Sequence, residues 1–524
     1  MTPPASAPWA RARRRGADDM RIALINEGTY PVNTGGVSTW CDQLVSGMPD
    51  HTWEVVTLTG GSRTPITWTV PSQVRSTTLY PVWAPVRAGL PESQLLTRRR
   101  RARVRAALRD LWAAILPPAE TITVADGTVR HDPALLGAAL RELLAAGGGD
   151  LFRLLGSESS AEALLDAWWG HSPALDRSAR LSVGDAVEAA TLVDRTLCAT
   201  DVRFGDVDVV HASSNGSAAL VGLARKWRDG VPLILTEHGV YLRERYLALA
   251  GTQLGWSARY AVCTALRAFC VLVYSEADLL LPVSDFNARW AVRLGADPAR
   301  IHTVRNGVDV STMTPVGPEP EIPTISFVGR IDPLKDLETL VRAYALVRRE
   351  LPATRLRIFG PCPTGNARYK ESIEETIDEL GVTDGVTWEG PTAGPRPAVE
   401  AGSIVALSSV SEGLPFTTIE AMMCGRVTVN TDVGGVSEAV GRDGRLGGLV
   451  PPRDPEAFAE ECLRFLTDDR LREQTGQRGR EHALESFALS SCIDTFRGWY
   501  EIAAGIHSDH FTGGALEYIA SVAS

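Results

Sequence analysis

The chain has 524 residues, 44% of them hydrophobic and 22% charged, so it is long enough for two substantial domains with buried cores. Its 53 basic and 63 acidic residues leave a formal charge of −10, which argues against a general nucleic-acid binder. Eight scattered cysteines without a C-x-x-C pair argue against a disulfide framework or a zinc site and are expected to be reduced, mostly buried thiols.

Residues 1–20 hold arginines but no apolar h-region, so a disordered tail is expected rather than a secretory signal, with Met20 as an alternative start. Residues 21–26 read as a buried parallel strand. A loop with Gly28, Gly35 and Gly36 follows, then a helix over about 37–48 and a second strand over 53–59. This is the opening of a doubly wound α/β domain. The alternation lapses over about 88–200. There Leu108, Leu111, Trp112 and Ile115 mark an amphipathic helix, and Ala-rich runs at 138–146 and 161–169 continue the helical pattern. This region reads as a helical insertion in the first domain. Strands are then expected at 208–211, 232–236, 279–283 and 301–304, with a helix over 257–274. Arg267, Glu276 and Asp278 interrupt the most apolar stretch, 260–283, so it reads as a buried helix running into a strand rather than a membrane span.

The Pro-rich segment 313–323 reads as an interdomain linker. A second α/β domain follows, with strands at 324–329, 355–360, 386–389, 404–408, 427–430 and 448–450. A helix near 490–504 is expected to cross back to the first domain. The expected division is a domain over 21–315, a second over 316–487, a crossover helix over 488–505 and a tail over 506–524. The fold class is α/β, two Rossmann-like doubly wound domains facing a cleft, with ligands at the carboxyl ends of the strands.

Two constellations carry chemistry. In the first, Arg330 and Lys335 flank a short loop between a strand and a helix, where helix amides add positive potential. Arginine grips two oxygens and lysine supplies a compact charge, a pairing suited to a departing diphosphate. In the second, Glu412 lies on a loop and Glu420 in the next helix, eight residues apart around Gly413, Leu414 and Pro415. The amides of Phe416, Thr417 and Thr418 would head that helix and cradle phosphate. Glu420 would accept from ribose hydroxyls, and Glu412 would contact the transferred sugar. Gly360 and Pro391, in Gly-Pro loops after two strands, are expected to border the base.

Gly-Arg-x4-Lys, Glu-x7-Glu, and residues 431–438 (TDVGGVSE) together resemble glycosyltransferase family 4 over about 21–505. Residues 26–31 (NEGTYP), 35–40 (GGVSTW) and 236–245 (TEHGVYLRER), with the insertion, resemble the PelF-type exopolysaccharide synthesis transferases and their DUF3492-like N-terminal region. The resemblance implies a GT-B fold, transfer with retention at the anomeric carbon and no obligatory metal. UDP-glucose is the implied co-substrate and a saccharide the acceptor. It implies that Gly35 and Gly36 approach the diphosphate from the opposite side and that His238 reaches the donor sugar or reacting centre. It assigns Asn306 and Gly307 to a mainly structural turn. A cytoplasmic enzyme is expected, with a peripheral synthase complex at the inner membrane face as its partner.

Other signals weigh less. His211 suits a satisfied core histidine at least as well as a site residue. Asp206 and Asp208 mimic a metal-binding D-x-D but lead straight into an apolar strand. The six arginines of 98–105 suit a solvated helix face, with an anionic acceptor or membrane surface as the alternative. Two further readings stay open: a GT-B sugar-nucleotide epimerase, and a non-catalytic GT-B subunit that binds polysaccharide.

Overall fold

The computed structural model describes residues 19–83, 97–117, 130–148, 151, 158–171 and 180–505. The expected tails therefore lie outside the described residues, apart from Asp19 and Met20. Two compact units emerge. The first runs to Pro282 and takes up Ala288–His302 and the chain from Arg497; the second comprises Val283–Asn287 and Thr303–Phe496.

The first unit holds strands β1 (Arg21–Glu27), β2 (Thr52–Thr59), β3 (Val74–Pro81), β4 (Val209–Ala212), β5 (Leu233–Leu235) and β6 (Leu279–Leu280), in the order β3-β2-β1-β4-β5-β6. Every pairing is parallel. The central strands are apolar almost without alternation because both faces are covered, as in β1, where five consecutive residues are buried. The edge strand β3 escaped the sequence reading. It is Ser/Thr-rich and only half-buried, so it lacks the apolar signature of an inner strand. The expected strand at 301–304 is reduced to a single bridge between Ile301 and Leu280, because no further strand continues the ladder.

The insertion contributes helices Arg98–Ile115, Pro133–Gly147, Glu158–His171 and Val183–Cys198. Local chemistry sets their starts. Asp132 accepts from the amides of Ala134 and Leu135 with Pro133 following, and Ser182 and Asp185 form a reciprocal capping box. Their apolar faces merge with the sheet: Val56, Leu108, Trp112, Leu140, Val193 and Phe269 belong to one continuous buried cluster. Arg100 reaches the Ala146 carbonyl at 2.6 Å, Arg103 pairs with Glu142 at 2.8 Å and Arg105 reaches the Ser159 hydroxyl at 3.2 Å, so half of the arginine run ties insertion helices together. Helix Trp256–Glu276 is long and apolar enough to cross a membrane, but two thirds of it is buried inside the unit, as a core helix is.

The second unit holds β7 (Thr324–Val328), β8 (Arg355–Phe359), β9 (Val386–Gly390), β10 (Ile404–Leu407), β11 (Val427–Thr431) and β12 (Gly448–Val450), in the order β12-β11-β10-β7-β8-β9, again all parallel. The segment 313–323 is no free linker. Val316 donates to the Cys424 carbonyl at 3.1 Å, Arg426 reaches the Gly317 carbonyl at 3.1 Å, and Val308 pairs with the Ala488 strand bridge. The chain is thus bonded into the second unit from Thr303 onward, ahead of the expected change at 315/316. The helix Leu489–Ala503 begins in the second unit and ends in the first.

Candidate functional site

In each sheet the strand order reverses once: between β1 and β4 in the first, and between β7 and β10 in the second. Helices after strands on either side of such a point lie on opposite faces, leaving a crevice beyond the carboxyl ends where α/β folds take ligands.

In the second unit the crevice-forming loops are those after β7 and β10, and they carry the predicted residues. The loop after β7 ends in a single 3₁₀ turn, Pro333–Lys335, opened by the Asp332 carboxylate accepting from the Leu334 amide at 3.0 Å. The loop after β10 is bonded to it twice. Val410 donates to the Leu334 carbonyl at 2.9 Å and the Ser408 hydroxyl to the Lys335 carbonyl at 2.7 Å. This brings the Lys335 ammonium to 2.6 Å from the Glu412 carboxylate, which also accepts from the Ser409 hydroxyl at 2.5 Å. The side chains of Lys335 and Glu412 are 22% and 12% exposed. Arg330 is placed differently. Its side chain is 54% exposed and, among the described residues, its carboxylate neighbour is Asp332, 3.9 Å away. The site therefore holds one paired cation and one whose guanidinium donors are largely open.

Of the two helix starts expected to offer amides, only the second is open. The helix Leu337–Glu350, which follows Lys335, is already capped: Asp336 accepts from the amide and hydroxyl of Thr339. The helix Phe416–Met423 has Pro415 at its start and no side-chain cap. The amides of Phe416, Thr417 and Thr418 meet no acceptor among the described residues, leaving the open donors of a helix start. The Thr417 hydroxyl ties this helix to the Val328 carbonyl at the end of β7, and Thr418 bonds Asn430 at 2.8 Å. Leu414 is buried, and its carbonyl accepts from Asn306 at 2.8 Å, the structural role expected for that turn. Gly307 packs against the start of helix Leu489–Ala503.

Glu420 lies one turn into the same helix, half-buried, and its carboxylate meets no donor among the described residues. Burial alone pushes its pKa up to about 7. A half-buried carboxylate that meets no donor is poised to accept hydrogen bonds from a ligand. Gly360 and Pro391 adjoin the same sheet edge: the Gly360 amide donates to the Gly390 carbonyl at 2.8 Å, linking the loops after β8 and β9.

Sequence reasoning missed the parts that hold these residues. Ser408 and Ser409 anchor the Glu412 loop, and the Thr431 hydroxyl donates to the Ser409 carbonyl at 2.6 Å. Gly434 and Gly435 pack against the backbone of Glu412 and Gly413, with the Gly435 amide donating to the Gly413 carbonyl at 2.6 Å. The signal was visible as the glycine pair in residues 431–438, but its partner was not.

Gly35, Gly36 and His238 belong to the first unit. Gly35 and Gly36 are exposed and open the helix Gly36–Gly47 without a side-chain cap. That helix carries Trp40, which the sequence reading quoted but did not place in the site. Its ring meets His238 edge-on at 4.5 Å and His211 at 5.3 Å. His238 is therefore joined to the glycine loop. Its Nε2 is buried with no hydrogen-bond partner, and burial lowers its pKa to about 3, so the ring is a neutral imidazole. His211 is the satisfied core histidine: it bonds the Tyr500 hydroxyl at 2.7 Å and the Thr236 hydroxyl at 2.8 Å. Asp208 pairs with Arg21 at 3.1 Å and accepts its amide at 2.9 Å, a turn before β4 rather than a metal ligand.

Residues 20–299 match the family described as "Domain of unknown function (DUF3492)", and residues 322–468 match "Glycosyl transferases group 1". The chain is similar to D-inositol 3-phosphate glycosyltransferases. It is 32% identical to that of Kribbella flavida over 297 residues, 53% of this chain and 68% of that protein. It is 34% identical to that of Gordonia bronchialis over 322 residues, 57% of this chain and 67% of that protein. Among solved structures it resembles HepE of Anabaena in complex with UDP and glucose, with a TM-score of 0.58 and 14% identity over 92% of this chain and 100% of that one. Sucrose-phosphate synthase of Thermosynechococcus elongatus has the same TM-score, 0.58, with 18% identity over 92% of this chain and 98% of its own. The two parallel α/β sheets are thus those of a GT-B fold, and the chain belongs to the group 1 glycosyltransferases, with a DUF3492 domain forming its amino-terminal part.

Proposed function

We propose that the chain is a retaining transferase that moves a hexose from a nucleoside diphosphate sugar to a saccharide acceptor, in exopolysaccharide or cell-surface glycan synthesis of the PelF type. UDP-glucose is the donor we assign. The observation that carries this reading is the open helix start at Phe416–Thr418, tied through Thr417 to the strand that ends just before Arg330. Free amides, an open guanidinium and a half-buried ammonium at one switch point suit a diphosphate, whose negative charge grows as the sugar leaves.

We assign the roles as follows, on the support of this geometry. Arg330 takes non-bridging phosphate oxygens bidentately. Lys335 shares its proton donors between Glu412 and the diphosphate, and Glu412, held by Lys335 and Ser409, orients the sugar rather than attacking it. Glu420 accepts from the ribose hydroxyls. A donor phosphate oxygen takes the acceptor proton on the face from which the diphosphate departs, which retains configuration. His238, neutral and unbonded at Nε2, offers a hydrogen bond to a sugar hydroxyl. No metal is required in this scheme. We place the enzyme in the cytoplasm.

The test is a thermal-shift screen of UDP, GDP, ADP and their glucose conjugates, followed by NMR of the products with UDP-glucose. A shift for UDP and its sugar supports the donor, and a preference for GDP or ADP overturns it. An epimerised nucleotide sugar without transfer would establish the epimerase instead. No shift with any nucleotide would leave a polysaccharide-binding subunit.

A further inference from the structure

In the loop after β5, three consecutive side chains turn to three different elements of the first unit. Thr236 is stitched to β4: its amide donates to the Ala212 carbonyl at 2.9 Å, and its hydroxyl meets the His211 ring at 2.8 Å. His238 turns to Trp40, whose ring also meets His211, so residues 236 and 238 share one face of the chain. Glu237, between them, takes the opposite face, as extended backbone requires. It enters the core against helix Trp256–Glu276 and is 4% exposed.

Tyr274 and Tyr241 hold this carboxylate. The Tyr274 hydroxyl, itself buried in the helix Trp256–Glu276, donates to one oxygen. The Tyr241 amide donates to the other at 3.5 Å. Tyr241 opens the helix Tyr241–Ala250, and Val240 before it supplies no side-chain cap. Glu237 stands in for that cap, and its charge suits a helix start. The turn between is closed from the far side as well. A Cβ on Gly239 would collide with the carboxylate of Glu244, in the first turn of that helix.

Burying an acid is costly, and an apolar side chain would fill this place in the core at lower cost. What the acid adds is direction. Bonds at both oxygens fix residue 237, and with it the course on which the next side chain leaves the backbone. The His238 Nε2 is unpartnered, so the direction of the imidazole rests on this turn and on Trp40.

We infer that Glu237 is a positioning residue for His238: anchored on the Tyr274 hydroxyl and the Tyr241 amide, it fixes the turn that aims the imidazole at the reacting centre. The aim at a reacting centre rests on the role proposed above for His238; the anchoring of the ring by Glu237 does not.

Burial raises the Glu237 pKa to about 7. Ionised, the group accepts at both oxygens. Protonated, it sets an O–H against one of its donors and gives up that bond, so the anchor loosens as pH falls through about 7. Around it stand Tyr274 and Cys270 of helix Trp256–Glu276, Tyr241 and Glu244 of the next helix, and, beyond Tyr241, Glu27 with Arg245. Burial holds the two phenols and the thiol well above their ordinary range, so they stay protonated there. Glutamine at position 237 can keep both contacts without titrating, its carbonyl facing the Tyr241 amide and its NH₂ the Tyr274 oxygen.

Proton–carbon NMR of the full chain with isotope-labelled histidine tests this. The His238 peak is identified by its loss in His238→Ala. The imidazole itself titrates near 3, so an inflection of its shift near pH 7 reports its neighbour. The wild type is expected to show that inflection. Glu237→Gln should keep the peak in place above pH 7 and abolish the inflection. Tyr274→Phe deletes one hydroxyl and should move the His238 peak while that of His302 stays. It should also lower kcat for UDP release from UDP-glucose, with cellobiose as acceptor, by about 10–10²-fold, the effect of a small misplacement. An unmoved His238 peak in Tyr274→Phe, or an inflection that survives Glu237→Gln, overturns the positioning role. If Tyr274→Phe moves the His302 peak too, Glu237→Gln alone decides. A moved His238 peak beside wild-type kcat in both Tyr274→Phe and His238→Ala strikes the role proposed for His238 and not its anchor.

Discussion

Arg330 and Lys335 are held so differently that their variants should separate binding from stability. Arg330 is exposed and loosely paired, so Arg330→Ala should cost less than about 0.5 kcal/mol of stability. It should still lower kcat by about 10²–10³-fold, the effect of removing one aimed donor from a charge-stabilising site. Lys335→Ala leaves Glu412 buried against Ser409 without its cation, so this variant should lose melting temperature as well as turnover. Steady-state kinetics beside calorimetry checks both, and wild-type turnover in Arg330→Ala would sink the diphosphate assignment. The acid Glu420 makes a pH prediction. Its folded pKa is about 7 against an ordinary value of 4.5, so the folded state binds more protons than the unfolded one between those values. The stability this contributes is complete below about pH 4.5 and is lost as pH rises through 7. Glu420→Gln should therefore gain stability relative to wild type as pH climbs from 4.5 to 7, with a flat difference above. His211 and His238 act in the opposite sense. Their pKa values near 3 mean that stability falls as pH drops below about 6.5. The candidate residues themselves were legible in the sequence because Arg330, Lys335, Glu412 and Glu420 are chemically distinctive at fixed spacing. The open state of Arg330 and the orphaned Glu420 carboxylate were not, since they depend on which neighbours fail to arrive.

At the scale of elements, the site is a set of four loops stitched together at one sheet edge. Gly434 is a tight stitch: at φ +62° its Cα faces the Glu412 carbonyl, where an added methyl would collide. Gly434→Ala should destabilise by more than about 1 kcal/mol and weaken UDP binding by shifting the Glu412 loop. Gly365→Ala, where a Cβ meets open space, is the control and should leave both unchanged. Denaturant melts with UDP titrations decide this, and unimpaired UDP binding in Gly434→Ala would show that the loop position is immaterial. The ends of the helix Leu337–Glu350 are marked by the Asp336 cap and by Arg348 and Arg349 in its last turn. Amides at that helix start and at Phe416–Thr418 were both expected to favour a phosphate, and there tertiary detail intervened. A carboxylate cap silences one helix start, whereas a proline leaves the other open, and only the coordinates distinguish them.

At the scale of the whole molecule, ligands should act on the units separately. Saturating UDP at about 100 times its Kd should raise stability by about 2.7 kcal/mol. Hydrogen exchange should then slow in residues 328–336 and 408–420 and leave the insertion helix Val183–Cys198 unprotected; protection centred on the insertion instead would move the nucleotide site. The amino-acid order by itself determined the class of fold and pointed to the edge at which a ligand is proposed to bind. Inner parallel strands must be apolar on both faces, and chemistry-bearing loops follow them at their carboxyl ends. It also identified the cations and acids, since their identity is local. Only the tertiary structure decided where the first unit gives way to the second. The proline-rich segment 313–323 has the composition of a linker, but its backbone groups find partners on the second unit, and satisfied hydrogen bonds outweigh composition. Only the tertiary structure decided, too, which side chains gather at the loop after β5, because Trp40, Glu237 and Tyr274 are far apart in the chain and meet there through the packing of two helices.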